Sequence, residues 1–85
     1  MDRSTIRNKI LAIFNDEFEI ADPGLEDDLR EIHGFDSIDA IELLREIEIM
    51  LDSELTRDEK KMAMEIRTIN QICDYVASLA AARNK

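Results

Sequence analysis

The chain has few of the residues that interrupt regular structure. It contains two glycines, one proline and no tryptophan among 85 residues. An all-β domain with many short strands needs a turn residue at each reversal, so this scarcity argues against such a fold. We therefore expect a mostly α-helical chain that forms a single domain over residues 1–85, because a chain of this length supports only one modest core.

Cysteine and long apolar runs are also scarce. The single cysteine, Cys73, excludes an intramolecular disulfide, and no apolar run approaches the roughly 20 residues that span a membrane. The first residues, Met1 to Ser4, lack the basic and then apolar layout of a signal peptide. We therefore expect a cytoplasmic protein without membrane insertion.

Negative charge dominates the composition. Twenty acids against eleven bases give a formal net charge of −9, which disfavours binding to nucleic acid or to anionic membranes. Seventeen of the acids, but only three of the bases, lie between Asp16 and Glu59. The functional surface is therefore expected in the middle of the chain, facing partners that present basic patches.

Apolar residues recur with helical spacing in four segments. The predicted helices cover residues 4–18, 37–51, 57–65 and 69–82. Asp36 is the expected N-cap of the second helix, and Thr56 and Thr68 begin capping boxes before the third and the fourth. The predicted fold is all-α, a small four-helix bundle with a long loop between helices one and two.

That loop, residues 19–35, is long for so small a domain. Four apolar side chains are expected to pin it onto the bundle, with one helical turn near residues 27–32. They are Leu25, Leu29, Ile32 and Phe35. A pinned loop that leads directly into a helix N-terminus suggests that it positions something there.

The second predicted helix carries apolar residues on two faces. At about 100° per residue, its core face comprises Ala40, Leu43, Leu44, Ile47, Met50 and Leu51. The other face comprises Ile38, Ile41, Glu42, Arg45, Glu46 and Ile49. Isoleucines bordered by carboxylates favour a contact surface for a partner with an apolar groove and basic edges. Ser37 begins this helix, where an attached phosphate would be favoured by the helix dipole.

The segment Gly34-Phe35-Asp36-Ser37-Ile38, followed by Asp39-Ala40-Ile41-Glu42-Leu43, resembles the prosthetic-group attachment site of acyl carrier proteins. The resemblance extends to the length, the charge, the four helices, the long first loop and the Asp74-Tyr75-Val76 stretch of the last helix. It implies that Ser37 bears covalent 4′-phosphopantetheine, derived from coenzyme A and added by a phosphopantetheinyl transferase.

The resemblance also implies which residues meet partner proteins. Asp36 would assist the transferase and its magnesium, and the following helix would dock on basic patches of synthase, acyltransferase or ligase enzymes. The residues implied for this docking are Ile38, Asp39, Ile41, Glu42, Arg45 and Glu46. The protein would be a monomer that presents a tethered acyl chain to fatty-acid, lipid or polyketide enzymes, with no catalytic residue or metal site of its own.

Several positions depart from the family pattern. His33 stands in place of an aliphatic residue, Arg45 in place of an apolar one, and Lys60 and Lys61 dilute an acidic third helix. These departures favour a specialised carrier over the general fatty-acid carrier. We interpret His33 as a solvated loop residue and Cys73 as a small core residue.

Two other functions stay open from the residues alone. One is a carrier of the same fold that is loaded with an amino acid or a peptide. The other is an unmodified acidic adaptor that uses the isoleucine face of the second helix. An enzyme is the weakest interpretation, because no nucleophile–base pair or metal-ligand cluster is evident in the sequence.

Overall fold

The structure, a computed structural model, describes residues 2–83, and this part of the chain contains five α-helices and no strand. They are α1 (Arg3–Glu17), α2 (Leu29–His33), α3 (Ser37–Leu51), α4 (Arg57–Ala63) and α5 (Ile69–Arg83). The predicted all-α fold is confirmed. The four predicted helices correspond to α1, α3, α4 and α5, with ends that agree within two residues.

Reciprocal side-chain bonds fix where α4 and α5 begin. Thr56 Oγ1 accepts a hydrogen bond from the Glu59 backbone N–H, and the Glu59 carboxylate accepts one from the Thr56 N–H at 2.8 Å. Thr68 and Gln71 exchange the same two bonds at the start of α5. Both predicted capping boxes are therefore confirmed, and each supplies partners for N–H groups that have none within the helix.

One apolar core joins the helices, and α1 and α5 form its most extensive helix pair. The core residues of α1 are Ile6, Ile10 and Phe14. Those of α5 are Ile69, Ile72, Cys73, Tyr75, Val76 and Leu79. Their spacing is the one that predicted both helices, so the apolar periodicity of the sequence and the packing of the fold agree here.

The long loop between α1 and α3 is tied to the distant start of α5 through its backbone. The Leu29 N–H donates to the Arg67 carbonyl at 2.8 Å, and the Asn70 N–H donates to the Leu25 carbonyl at 3.1 Å. The predicted helical turn in this loop is α2, which lies slightly later than expected. Asp28 is its N-cap and accepts hydrogen bonds from two N–H groups of the first turn.

Apolar side chains pin the loop only in part as predicted. Leu29 and Phe35 are buried, and Leu25 packs against the core, but Ile32 is 61% exposed. The prediction for Ile32 is wrong because α2 is too short to bury more than one side of its single turn. Phe35 stacks on Phe14 with ring centroids 5.2 Å apart, which fixes the end of the loop.

Candidate functional site

Three residues turn the chain from α2 into α3. Gly34 ends α2 with φ of 68°, in the left-handed region that favours glycine. A Cβ on Gly34 would meet no atom within 4 Å, so the backbone angle rather than crowding selects glycine there. Phe35 then enters the core, and Asp36 becomes the N-cap of α3. The turn therefore holds the residues that follow it in a fixed place.

Asp36 fixes the first turn of α3. Its Oδ1 accepts hydrogen bonds from the N–H groups of Ile38 and Asp39, both at 3.0 Å. The Asp36 N–H donates in return to Asp39 Oδ2 at 3.2 Å. The N-cap predicted at Asp36 is confirmed. Asp39, predicted only as a docking residue, has a structural role in this capping box as well.

Ser37 is the first residue of α3, and its side chain is exposed. Within residues 2–83, the Ser37 Oγ makes no hydrogen bond. Its neighbours are fixed, because Asp36 accepts hydrogen bonds from the N–H groups of Ile38 and Asp39 and Phe35 is buried. A second protein can therefore reach the Ser37 hydroxyl without unfolding its surroundings. The hydroxyl also lies at the end of α3 where the helix dipole is positive.

The outward side of α3, which we call the α3 outer face, combines exposed isoleucines with charge. It comprises Ile38, Ile41, Glu42, Arg45, Glu46 and Ile49. The three isoleucines are 75%, 54% and 73% exposed. Large apolar side chains left in water beside charged groups mark a surface that a partner can cover. The structure thus exposes the three isoleucines and Arg45 of this face and leaves Glu42 and Glu46 partly buried.

A third acid joins the α3 outer face from another helix. Carboxylate oxygens of Glu17, at the end of α1, lie within 4.8 Å of those of Glu42 and Glu46. The sequence did not indicate this proximity, since Glu17 is 25 positions before Glu42. Repulsion among three carboxylates raises the electrostatic benefit of a basic partner, which would contact all of them.

His33 is not the solvated loop residue that we expected. It ends α2, its side chain is 23% exposed, and its Nε2 lies 3.1 Å from Asp27 Oδ2. The hydrogen bond with His33 lowers the pKa of Asp27 below its usual value. Asp27 Oδ2 also accepts from the Gly24 N–H at 2.9 Å. The pair therefore braces the loop, and the expectation failed because spacing alone could not show that Asp27 folds back to it.

Cys73 is a core residue, as predicted. Its side chain is buried between α5 and α1, and burial raises the pKa of its thiol. A thiol held protonated in an apolar core is a weak nucleophile. Cys73 therefore adds nothing to the chemistry of the Ser37 region.

Two features near Ser37 escaped the sequence analysis. The first is an apolar cleft on the inner side of α3, bordered by Ala40, Leu44 and Ile47. The second is Arg30 of α2, whose partly exposed side chain borders that cleft and buries its Nε atom. No sequence signal could have identified Arg30, because it belongs to no periodic stripe and reaches the cleft only through the fold.

Among residues 2–83, no helix combines the length and the apolar character needed to cross a membrane.

Comparison with known proteins gives one match. The model of a protein family described as "Phosphopantetheine attachment site" matches residues 8–76, a stretch that includes Ser37 and all of α2, α3 and α4. No curated protein and no solved structure matches the chain significantly.

Proposed function

Because the chain belongs to the phosphopantetheine attachment site family, whose prosthetic group is 4′-phosphopantetheine, we propose that Ser37 carries this group and that the protein is an acyl carrier. In this role it holds acyl intermediates as thioesters on the arm and presents them to enzymes of fatty-acid, lipid or polyketide pathways. The observation that carries the proposal is the exposed, unbonded hydroxyl of Ser37 at the start of α3.

The residues around Ser37 fit a phosphodiester at this position. Asp36 Oδ1 already accepts from the N–H groups of Ile38 and Asp39, so a phosphate on Ser37 gains the field of the helix dipole rather than these two N–H groups. The carboxylates of Asp36 and Asp39 would repel the incoming phosphate. Asp36 would help to hold a divalent cation, whose charge would relieve that repulsion, and this supports a magnesium requirement for attachment.

The α3 outer face supports docking of a basic partner next to Ser37. Ile38 lies immediately after the serine, and Ile41 and Glu42 follow one turn later. Apolar contacts with the isoleucines would provide affinity, and the carboxylates would steer and orient the partner. The chain then needs no catalytic acid or base of its own. Its residues bind and orient the partner and expose the attachment point, while partner enzymes catalyse the reactions.

Arg45 supports a specialised carrier rather than the general fatty-acid carrier. It is exposed in the middle of the α3 outer face, between Ile41 and Ile49. A cation at this position disfavours a partner whose contact surface is uniformly basic. We therefore expect dedicated partners with an acidic or neutral position opposite Arg45, acting in the cytoplasm on a monomeric carrier.

Intact mass tests the attachment directly. The protein is incubated with coenzyme A, magnesium and a broad-specificity phosphopantetheinyl transferase. Ser37 Oγ forms a bond to the phosphorus that bears pantetheine, its proton is lost, and adenosine 3′,5′-bisphosphate leaves. We expect a mass gain of one phosphopantetheinyl group in the protein and none in Ser37→Ala.

A matched control separates loss of the site from loss of the fold. Ser78→Ala changes an exposed serine in α5 and should accept the group like the unmodified sequence. Ser37→Ala should keep the same Tm, since the hydroxyl makes no hydrogen bond within residues 2–83. A folded protein that gains no mass would contradict the carrier and favour the unmodified adaptor.

A further inference from the structure

Arg30 is a cation placed against the apolar cleft of α3 without adequate partners. Its Nε is buried and, within residues 2–83, makes no hydrogen bond. Its Nη2 donates to the Met64 carbonyl at 3.4 Å, near the limit for a hydrogen bond. No carboxylate of the described chain forms an ion pair with it. A buried donor left in this way costs stability, so its presence calls for an explanation.

The other polar group of the cleft is satisfied, which sets Arg30 apart. Tyr75 also borders the cleft, and its hydroxyl donates to the Glu59 carbonyl at 2.6 Å. The remaining border is apolar and includes Phe35, Leu43 and Ala63. A leucine or methionine at position 30 would border this environment without burying a polar atom, so the buried Nε of Arg30 is the one group of the cleft that still needs a partner.

The cleft begins next to the proposed attachment site. Ala40, one turn after Ser37 on α3, borders it, so the prosthetic arm on Ser37 starts at the same end of the helix and can carry its acyl chain to the cleft. About 10 Å³ is open to the centre of a water molecule, room for at most one water. The cleft must widen for a larger guest, and the α3–α4 pair that borders it is suited to this because it packs less extensively than the α1–α5 pair.

We propose that Arg30 makes this carrier selective for acyl chains that end in a carboxylate, which enter the cleft and pair with the Nε edge of the guanidinium. The inference rests on the proposed function. Nε–H and the neighbouring Nη–H lie on one planar edge that matches the two oxygens of a carboxylate. Tethering keeps the chain end at high effective concentration beside the cleft, which favours binding that a free acid would make only weakly.

Two cargoes of equal length test the selectivity. Octanoyl and 7-carboxyheptanoyl chains, both of eight carbons, are attached as hydrolysis-resistant pantetheine amides, and intact mass verifies loading before any other measurement. We expect the carboxylated cargo to raise Tm by about 4 °C or more over the octanoyl cargo. We also expect it to move the Arg30 Nε–H proton resonance downfield, since a charge-assisted hydrogen bond replaces an unpaired donor.

Substitutions at position 30 should change which of the two cargoes gives the higher Tm. In Arg30→Leu the octanoyl form should become the more stable, and Arg30→Lys should retain a reduced preference for the carboxylate. Arg67→Leu is the matched control: Arg67 Nη1 also donates to the Met64 carbonyl, at 3.1 Å, but Arg67 does not border the cleft. This control should keep the preference for the carboxylate.

Three outcomes would overturn the inference. One is an octanoyl cargo that stabilises the protein as much as the carboxylated one. Another is an Arg30 resonance that is the same with both cargoes, as expected if the cleft holds one water and no chain. The third is an Arg30→Leu variant with an unchanged order of stability. Failure of the proposed function is distinguishable, because the mass then shows no attachment, and that result overturns both.

Discussion

Helices α3 and α5 have the same length of 15 residues, yet they use their apolar residues differently. α5 buries six side chains, and none of its large apolar residues is exposed. α3 buries four side chains but leaves Ile38, Ile41 and Ile49 largely in water. Both helices are equally well predicted by apolar spacing. The difference indicates that α5 serves the stability of the fold, whereas α3 leaves part of its apolar surface available for the docking that we propose.

Truncating an isoleucine should lower the stability of the fold when the residue lies on α5, and should lower the rate of modification when it lies on α3. Ile72→Ala on α5 removes a fully buried side chain and should lower the free energy of unfolding by about 2–5 kcal/mol. Ile41→Ala on α3 should change it by less than about 0.5 kcal/mol. The same Ile41→Ala should reduce kcat/KM of the transferase by about threefold to tenfold, because it removes a docking contact. Urea unfolding and a steady-state modification assay measure the two effects.

Ile72→Val serves as a milder variant in case Ile72→Ala does not fold, with an expected loss of about 0.5–1.5 kcal/mol. A large loss of stability in Ile41→Ala, or an unchanged modification rate, would contradict the division of roles between the helices.

The starts of α3 and α5 differ in a second way, because only α3 follows a residue in the left-handed region. Gly34→Ala places a Cβ at φ of 68° and should lower the free energy of unfolding by about 1 kcal/mol. For a domain of this size that corresponds to a decrease in Tm of about 4–8 °C. Gly34→Asn should cost less, since asparagine tolerates this region. Equal losses in the two variants would show that crowding, and not the backbone angle, selects glycine.

The smallest expected change in stability concerns the C-terminal end of α5, where the Arg83 side chain contacts Glu59 of α4. Its two Nη atoms donate to the Glu59 carboxylate at 2.7 and 2.9 Å, which lowers the pKa of Glu59 to about 2. A carboxyl with a lowered pKa stabilises the fold fully above its unfolded pKa, and loses this contribution as the pH falls towards 2. Glu59→Gln should therefore decrease Tm by a few degrees at pH 6, and by less at pH 3.

Glutamine at position 59 still accepts from the Thr56 N–H, so the variant leaves the capping box in place. Glu65→Gln, at an exposed acid outside any ion pair of the described chain, is the control and should show little change at either pH. A decrease in Tm for Glu59→Gln that is as large at pH 3 as at pH 6 would contradict the role of the ion pair.

Local features of the sequence predicted most of the fold and part of the site. The bounds of α3 agree residue for residue because Asp36 caps its first turn and apolar residues continue to Leu51. The exposure of Ile38 and Ile49 followed from the helical wheel alone. The predictions that Ile32 is buried and that His33 is solvated were wrong, since both depend on how the loop folds back. Ile32 faces solvent, and His33 contacts Asp27.

The sequence by itself determined the helices, their caps, the negative charge and the two faces of α3, because each depends on residues within a few positions of one another. Only the tertiary structure decided that Glu17 lies beside Glu42 and that Arg30 lies against the inner side of α3. These contacts join residues far apart in the chain, and packing of α1 and α2 against α3 brings them together. A local pattern carries no information about such pairs, since their side chains meet only after the chain has folded.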